Sequence, residues 1–345
     1  MRIPLRTVAA LAAALGLLTA CSHSSDSAPG DHEAQAQDLA GRVVVLTTGG
    51  TIASTADETG ALVPTVSGAQ LIDSVRDRLG PDLDVQVREI AQLDSSAMTF
   101  RDTDTILRSI HEALRDPEVS GVVVTHGTDS MEETAVAADA FRPDTRPIVL
   151  TGAMKPADDP RPDGPDNLAQ AIRLAANKET EPGAHIAFGG ATYPARATYK
   201  SHTTDVDGFA RNTPESSSHP APLPLTPLES THVEIVAAYP GAPRALIDSA
   251  VERGAQGLVI QGMGAGNVGG ELAAAMTDAL ARGVAVVMST RVPEGSVEAA
   301  YGGAGGGATL QSQGVISSGY LRPAQARVLL AAALATGTDP AVLFS

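Results

Sequence analysis

The chain has 345 residues, 43% of them hydrophobic but only 3% aromatic, and no Trp. Its core must therefore be built mainly from Ala, Val, Leu and Ile, which suits parallel sheets covered by helices. A formal net charge of −16 excludes nucleic acid as an expected partner, because phosphate binding needs clustered Lys and Arg.

In chain order, the first predicted element is not part of the fold. Residues 1–6 carry two arginines, residues 7–18 form a short apolar run, and Leu18-Thr19-Ala20-Cys21 follows. A basic start, a short apolar stretch and a small-residue ending read as a secretory signal, and the run is too short to span a bilayer. The ending resembles the bacterial lipoprotein box. Cys21 is then the expected lipidation site, and the mature protein an exported one held to a membrane only by its lipid. Cys21 is the sole cysteine, so no internal disulfide is expected. Residues 22–40, rich in Ser, Ala, Asp and Gln, read as a flexible tether.

Strand and helix signals then alternate. Strands are predicted at residues 41–46, 84–90, 119–125, 146–151 and 186–189. Helices are predicted at 68–79, 100–115, 130–141 and 163–178, the last with Pro165 in its first turn. Residues 212–231 hold Pro214, Pro220, Pro222, Pro224 and Pro227 and no periodicity, which marks a domain boundary. Beyond it, strands at 233–237, 257–260 and 284–289 alternate with helices at 242–253, 270–282 and 323–335. Such alternation means βαβ units and parallel sheets with helices on both faces. The expected organisation is a signal segment at 1–21, a tether at 22–40, an N-terminal α/β domain at 41–212, a Pro-rich linker at 213–231 and a C-terminal α/β domain at 232–345.

Two aliphatic runs empty into hydroxyl-rich turns. Val43 to Leu46 leads to Thr47-Thr48-Gly49-Gly50-Thr51-Ile52-Ala53, and Val122 to Val124 leads to Thr125-His126-Gly127-Thr128-Asp129-Ser130-Met131-Glu132-Glu133-Thr134. Ligands of open α/β sheets bind at the carboxyl ends of strands, so the two turns predict one polar pocket. A Thr after two glycines, beside exposed backbone N–H groups, has the makings of a nucleophile with an oxyanion hole. Thr128 and Asp129 add a hydroxyl and a carboxylate. A nearby lysine can pair with that carboxylate and, when neutral, take the hydroxyl proton. Lys155, Lys178 and Lys200 are the only lysines, and Lys200 sits in the polar stretch Tyr199-Lys200-Ser201-His202-Thr203-Thr204-Asp205. The chain has no Gly-x-Ser-x-Gly elbow, His-Glu-x-x-His, Walker loop or Cys cluster, and the first turn lacks the full dinucleotide fingerprint. The expectation is acyl-transfer chemistry with no metal and no cofactor. Thr47 and Thr48 read as satisfying turn backbone, and His126 as a histidine satisfying turn groups. Glu132 and Glu133 read as charging a helix start, Lys155 as a surface lysine and residues 302–307 as a flexible glycine loop.

Thr48-Gly49-Gly50-Thr51-Ile52-Ala53 and the stretch from His126 to Thr134 resemble the two signatures of the bacterial-type L-asparaginases. Gly152-Ala153-Met154-Lys155-Pro156, Asp163-Gly164-Pro165-Asp166-Asn167-Leu168 and Ser289-Thr290-Arg291-Val292-Pro293-Glu294-Gly295 are also similar to that family. The resemblance covers roughly residues 42–344. It implies a larger N-terminal and a smaller C-terminal domain, and hydrolysis of the side-chain amide of asparagine to aspartate and ammonia. It makes Thr51 the nucleophile, and Thr128, Asp129 and Lys200 the second catalytic group. Ser95 is matched to the substrate carboxylate and Asp129 to its ammonium, with Ser96, Thr128, Gly50 and Gly127 around them. Asn267, in Gly262-Met263-Gly264-Ala265-Gly266-Asn267, matches a residue that completes a neighbour's site in the family's dimers and tetramers. Two positions depart from the pattern. Residues 54–68 contain no Tyr where the family has one on a mobile loop, Ala61 and Leu62 lying nearest. Ser96 stands where the secreted branch often has Gln or Glu. Glutamine or another primary amide is the alternative substrate, and an amino-acid-binding surface lipoprotein without turnover the alternative of another class.

Overall fold

The computed structural model describes residues 41–213 and 220–344. The predicted signal segment, Cys21 and the tether lie outside the described residues, as does part of the predicted linker.

The N-terminal lobe is a six-stranded sheet. Its strands are β1 (Gly41–Gly49), β4 (Leu83–Leu93), β5 (Val119–Thr125), β6 (Ile148–Thr151), β7 (Ala184–Phe188) and β8 (Ala191–Pro194). They run in the order β4-β1-β5-β6-β7-β8, parallel throughout except for the antiparallel β7–β8 pair. The alternation of side chains along β1 explains why the sheet carries helices on both faces. Val43 and Val45 join Val123 of β5 and Leu71, Ile72, Leu168 and Ile172, which come from helices α1 (Gly68–Asp73) and α4 (Gly164–Ala176). Val44 and Leu46 point the other way, to Ile106, Ile110, Val136 and Phe141 around helices α2 (Phe100–Ala113) and α3 (Met131–Ala140). Each fully buried aliphatic side chain of this kind contributes about 1.5–3 kcal/mol.

Two small hairpins lie outside the main sheet. One pairs β2 (Ser54–Ala56) with β3 (Leu62–Pro64), directly after Thr51. The other pairs β9 (Thr198–Lys200) with β10 (Phe209–Arg211).

The C-terminal lobe has a parallel sheet of β11 (Val233–Ala237), β12 (Gly257–Gly262), β13 (Ala285–Thr290) and β14 (Ile316–Ser317). Helices α5 (Ala245–Glu252), α6 (Gly270–Ala281), α7 (Gly307–Ser312), α8 (Pro323–Thr336) and α9 (Pro340–Phe344) complete it. Helix α8 is buried nearly all round, from Gln325 and Ala326 through Val328 to Ala333. Such a helix belongs in an interior. Its Leu329 and Leu330 join a core that contains both Val136 of the N-terminal lobe and Val259 and Val287 of the C-terminal sheet. The fold is thus α/β with two domains, as expected, and α8 is packed into both.

Several local expectations change. Residues 68–79 do not form one helix: α1 stops at Asp73, and a single tight turn follows at Arg76–Arg78. The Ser74 hydroxyl donates to the Leu71 carbonyl at 2.6 Å, a local bond that competes with helix continuation. Thr47 and Thr48 belong to β1 rather than to the turn. Of residues 302–307, positions 302–304 are exposed, whereas Gly305 to Gly307 are held. The Gly305 carbonyl accepts from Val268 N–H (3.0 Å), and Gly307 N–H donates to Asn267 Oδ1 (3.3 Å). A Cβ on Gly306 would come within 2.7 Å of the Tyr301 carbonyl carbon. Residues 220–231 are tied down as well. The Asp104 carboxylate accepts from Leu228 N–H (2.8 Å) and Glu229 N–H (3.1 Å), and Leu228 is fully buried.

Candidate active site

The carboxyl ends of β1 and β5 lie side by side, because the two strands pair in parallel up to Thr47 and Thr125. The Thr48 hydroxyl donates to the Thr125 carbonyl at 2.8 Å and links the two strand ends. Beyond it, Gly49 and Gly50 carry φ of +98° and +87°, a region closed to most side chains. They turn the chain into the short helical turn Thr51–Ala53, which the Ser54 hydroxyl braces by donating to the Gly50 carbonyl at 3.0 Å. Gly50 packs directly on Gly127. This contact brings the Thr51 turn against the turn that carries Thr128 and Asp129.

Lys200 arrives from the separate β9–β10 hairpin. Its Nζ donates to Thr128 Oγ1 at 2.9 Å and to Asp129 Oδ1 at 2.7 Å. Thr128 is buried, the Lys200 side chain is only 18% exposed, and the Asp129 side chain is 58% exposed. The cluster therefore has a shielded hydroxyl and lysine nitrogen and a carboxylate open to a ligand. Ser95, at the end of β4, is also buried, and its Oγ accepts from Asp129 N–H at 3.3 Å. Ser130 Oγ donates to the Ser95 carbonyl at 2.7 Å. Ser95 keeps its own hydroxyl proton available. Ser96 differs: its N–H and hydroxyl both donate to Asp94 Oδ1, at 2.9 and 2.8 Å, so its proton is committed to the turn. A cavity of about 310 Å³ opens beside Ser95, Asp129, Ser130 and Arg327. A second hollow of about 420 Å³, lined by Pro64, Thr65 and Glu89, contains none of Thr51, Thr128, Asp129 or Lys200. The first touches the cluster only through Asp129, so neither hollow is lined by Thr51, Thr128 and Lys200.

His126 is fully buried. Its Nδ1 faces the Gly127 carbonyl at 2.7 Å, so that nitrogen carries the proton. Nε2 accepts from Thr134 Oγ1 at 2.9 Å. Burial holds its pKa down near 4, the Gly127 bond opposing. Both ring nitrogens are occupied in the neutral form, which makes His126 a brace for the turn. Asp163 organises the next strand end, its carboxylate accepting from Met154 and Lys155 N–H at 3.0 and 2.9 Å. Among the described residues, Lys155 Nζ reaches only the Arg161 carbonyl, at 3.3 Å.

The structure thus gathers Gly50, Thr51, Ser95, Gly127, Thr128, Asp129 and Lys200 at one sheet end. It does not bring Asn267 there. Asn267 pairs with Met263 and holds Gly307 within the C-terminal lobe, and no hydrogen bond joins it to the cluster among the described residues. Two further residues touch the cluster's surroundings, and the sequence gives neither a place in it. Glu132, read there as helix-start charge, accepts from Lys200 main-chain N–H at 2.6 Å, and burial pushes its carboxyl up to about 7. Glu133 reaches Arg327 of α8 at 3.3 Å, and that guanidinium lies 4.3 Å over the Phe100 ring. The other residue is Gln325, buried in α8 against the turn before Lys200. A lone amide in an Ala- and Leu-rich helix is the only sequence signal it offers.

Comparison with known proteins gives the family of the chain. Residues 42–218 match the family model "Asparaginase, N-terminal", and residues 232–343 match "Glutaminase/Asparaginase C-terminal domain". The chain is 30% identical to an L-asparaginase of Bacillus licheniformis, over 86% of this chain and 96% of that protein. It is 30% identical to L-asparaginase 2 of Escherichia coli, over 86% of this chain and 90% of that one. The crystal structure of a probable cytoplasmic L-asparaginase from Campylobacter jejuni superposes with a TM-score of 0.76 at 30% identity, covering 88% of this chain and 99% of that chain.

Proposed function

This chain belongs to the asparaginase family, and from that premise we propose that it hydrolyses the side-chain amide of L-asparagine to L-aspartate and ammonia without a cofactor. The observation that carries the reading is the hub at Lys200 Nζ, within 2.9 Å of Thr128 Oγ1 and 2.7 Å of Asp129 Oδ1, on the turn that packs against Gly50 and Thr51.

Thr51 Oγ1 attacks the amide carbon. The C–N bond breaks, and the nitrogen departs as ammonia with the hydroxyl proton of Thr51. The glycine-rich turns offer backbone N–H groups to the oxygen on which charge develops, the kind of preorganised stabilisation that dominates acyl transfer. In the second half, water attacks the threonyl ester and gives up its proton through Thr128 and Lys200. The ester C–O bond breaks, Thr51 recovers its hydroxyl and aspartate leaves. The Ser95 hydroxyl donates to the substrate α-carboxylate, and the exposed Asp129 carboxylate receives the α-ammonium. Asn267 serves a neighbouring subunit's site in a homo-oligomer, and the chain is exported and anchored through Cys21. The β2–β3 hairpin follows the nucleophile in the chain, has no tyrosine and carries the half-exposed Leu62.

The test is ammonia release from asparagine and glutamine side by side, with Thr51→Ala as the control. Loss of at least ~10³-fold in turnover on Thr51→Ala fits removal of a nucleophile. A wild-type protein that binds aspartate and hydrolyses neither amide overturns the reading and leaves a binding lipoprotein.

A further inference from the structure

Glu132 and Gln325 take no part in the reaction just proposed, yet the partly buried Glu132 and the buried Gln325 both hydrogen-bond the main chain at or just before Lys200. Thr128 and Asp129 stand at the end of β5 in the main sheet. Lys200 stands on β9, a three-residue strand hydrogen-bonded only to β10. Sheet pairing therefore does not fix the distance between the two halves of the cluster. We propose that Glu132 is a positioning residue that holds Lys200 in register with Thr128 and Asp129, and that Gln325 of the C-terminal lobe braces the same grip. This rests on the reading of Lys200 as part of the reaction.

Glu132 lies in the first turn of α3, four positions after Thr128, and its Oε2 accepts from Lys200 N–H at 2.6 Å. One carboxylate thus ties the main chain of Lys200 to the helix that begins where Asp129 ends. Lysine has a long, flexible stem. Anchoring its main chain lets Nζ meet two partners at once with little search. Misplacement by ~1 Å costs on the order of 100-fold in such sites.

Gln325 is 1% exposed. Its Nε2 donates to the carbonyls of Ala195 (2.8 Å), Thr198 (2.9 Å) and Glu132 (3.3 Å), and its Oε1 accepts from Ala197 N–H (2.8 Å). The amide therefore grips both sides: the main chain of Glu132 and the bend that leads into Lys200. Ala197 in that bend has φ +60°, a conformation strained for a non-glycine residue that persists only where its surroundings impose it. The charged or titratable groups facing the Glu132 carboxyl are Lys200, Glu133 on the same helix and Tyr199. Burial raises the carboxyl to about 7, opposed by the Lys200 N–H. A desolvated carboxylate that accepts a backbone N–H forms a strong, short bond.

The full chain has only three lysines, Lys155, Lys178 and Lys200. Protein labelled with ¹⁵N-lysine therefore gives three main-chain amide signals, and Lys200→Arg identifies the one of interest. That signal is expected well downfield of the other two and to move with a midpoint near pH 7, the movement disappearing in Glu132→Gln. In kinetics, Glu132→Ala should lower kcat at least ~30-fold with KM within ~3-fold, and Glu132→Gln, which keeps an acceptor oxygen, should recover to within ~5-fold of wild type. A Lys200 amide signal indifferent to pH and to Glu132→Gln overturns the proposal, as does a folded Glu132→Ala with kcat within ~3-fold of wild type. A wild-type protein without amidase activity refutes the proposed function alone, and the amide signal still decides the positioning.

Discussion

Gly50 and Gly127 touch backbone to backbone: a Cβ on Gly50 would lie 2.6 Å from the Gly127 nitrogen. Two glycines, one at the end of each strand's turn, are what allow a nucleophile on one strand to meet a proton-handling group on the other. Gly50→Ala would combine this clash with a φ of +87° and ψ of 179°, a region nearly confined to glycine. The expected result is a loss of about 2–4 kcal/mol of stability and of at least ~100-fold in turnover through displacement of Thr51. Chemical denaturation and the amidase assay read the two effects separately.

Lys200 should not tolerate conservative replacement. Lys200→Met removes the amino group that bridges Thr128 and Asp129 and is expected to lower kcat by at least ~10³-fold. Lys200→Arg keeps the charge but brings a planar fork that stays protonated, so recovery to no more than ~1% of wild-type activity is expected. Steady-state kinetics on asparagine checks both.

His126 and Glu132 oppose each other across one pH window. The folded pKa of His126 is held near 4 against 6.5 unfolded, so its contribution is fully present above 6.5 and lost as pH falls toward 4. The folded pKa of Glu132 is raised to about 7 against 4.5 unfolded. The folded state holds that proton more tightly, so this contribution is present below 4.5 and lost as pH rises to 7. Each is worth about 3 kcal/mol at most, and together they nearly cancel between pH 4.5 and 6.5. Glu132→Gln unmasks the histidine: stability at pH 8 should rise by up to ~3 kcal/mol, and it should fall on acidification more steeply than in wild type. Urea unfolding at pH 5, 6.5 and 8 checks the sign at each point.

Leu330 is fully buried in the core that α8 shares with both lobes. Leu330→Ala should cost about 2–5 kcal/mol, and because the core is common the two lobes should still unfold in one transition. Calorimetry that separates into two transitions would count against a shared core.

The aliphatic runs made the sheet strands and most helices legible, since Val43 to Leu46 and Val122 to Val124 have no other way to be buried. The cluster of Thr51, Thr128, Asp129 and Lys200 was legible from its motifs. The hairpins were not: β2, β3, β9 and β10 are three residues each and lack a repeating pattern. Thr48 reads as a turn residue, but its hydroxyl satisfies a carbonyl on the neighbouring strand, a partner 77 positions away. Glu132 reads as a dipole charge because that role needs only its position in α3, whereas its bond to Lys200 depends on a fold no local window contains. Gln325 looks like an interruption of an apolar helix until the bend it grips is folded beside it.

The grip of Gln325 on Glu132 spans 193 positions. At ribosomal speeds of roughly 5–20 residues per second, about 10–40 s separate the synthesis of the two ends. Once Lys200 has been made, its bend lacks the Gln325 brace for the rest of that interval, and the N-terminal lobe lacks α8. The nascent chain carries both threonines yet is expected to stay inert until α8 emerges, which makes catalytic competence itself a readout of how far synthesis has gone.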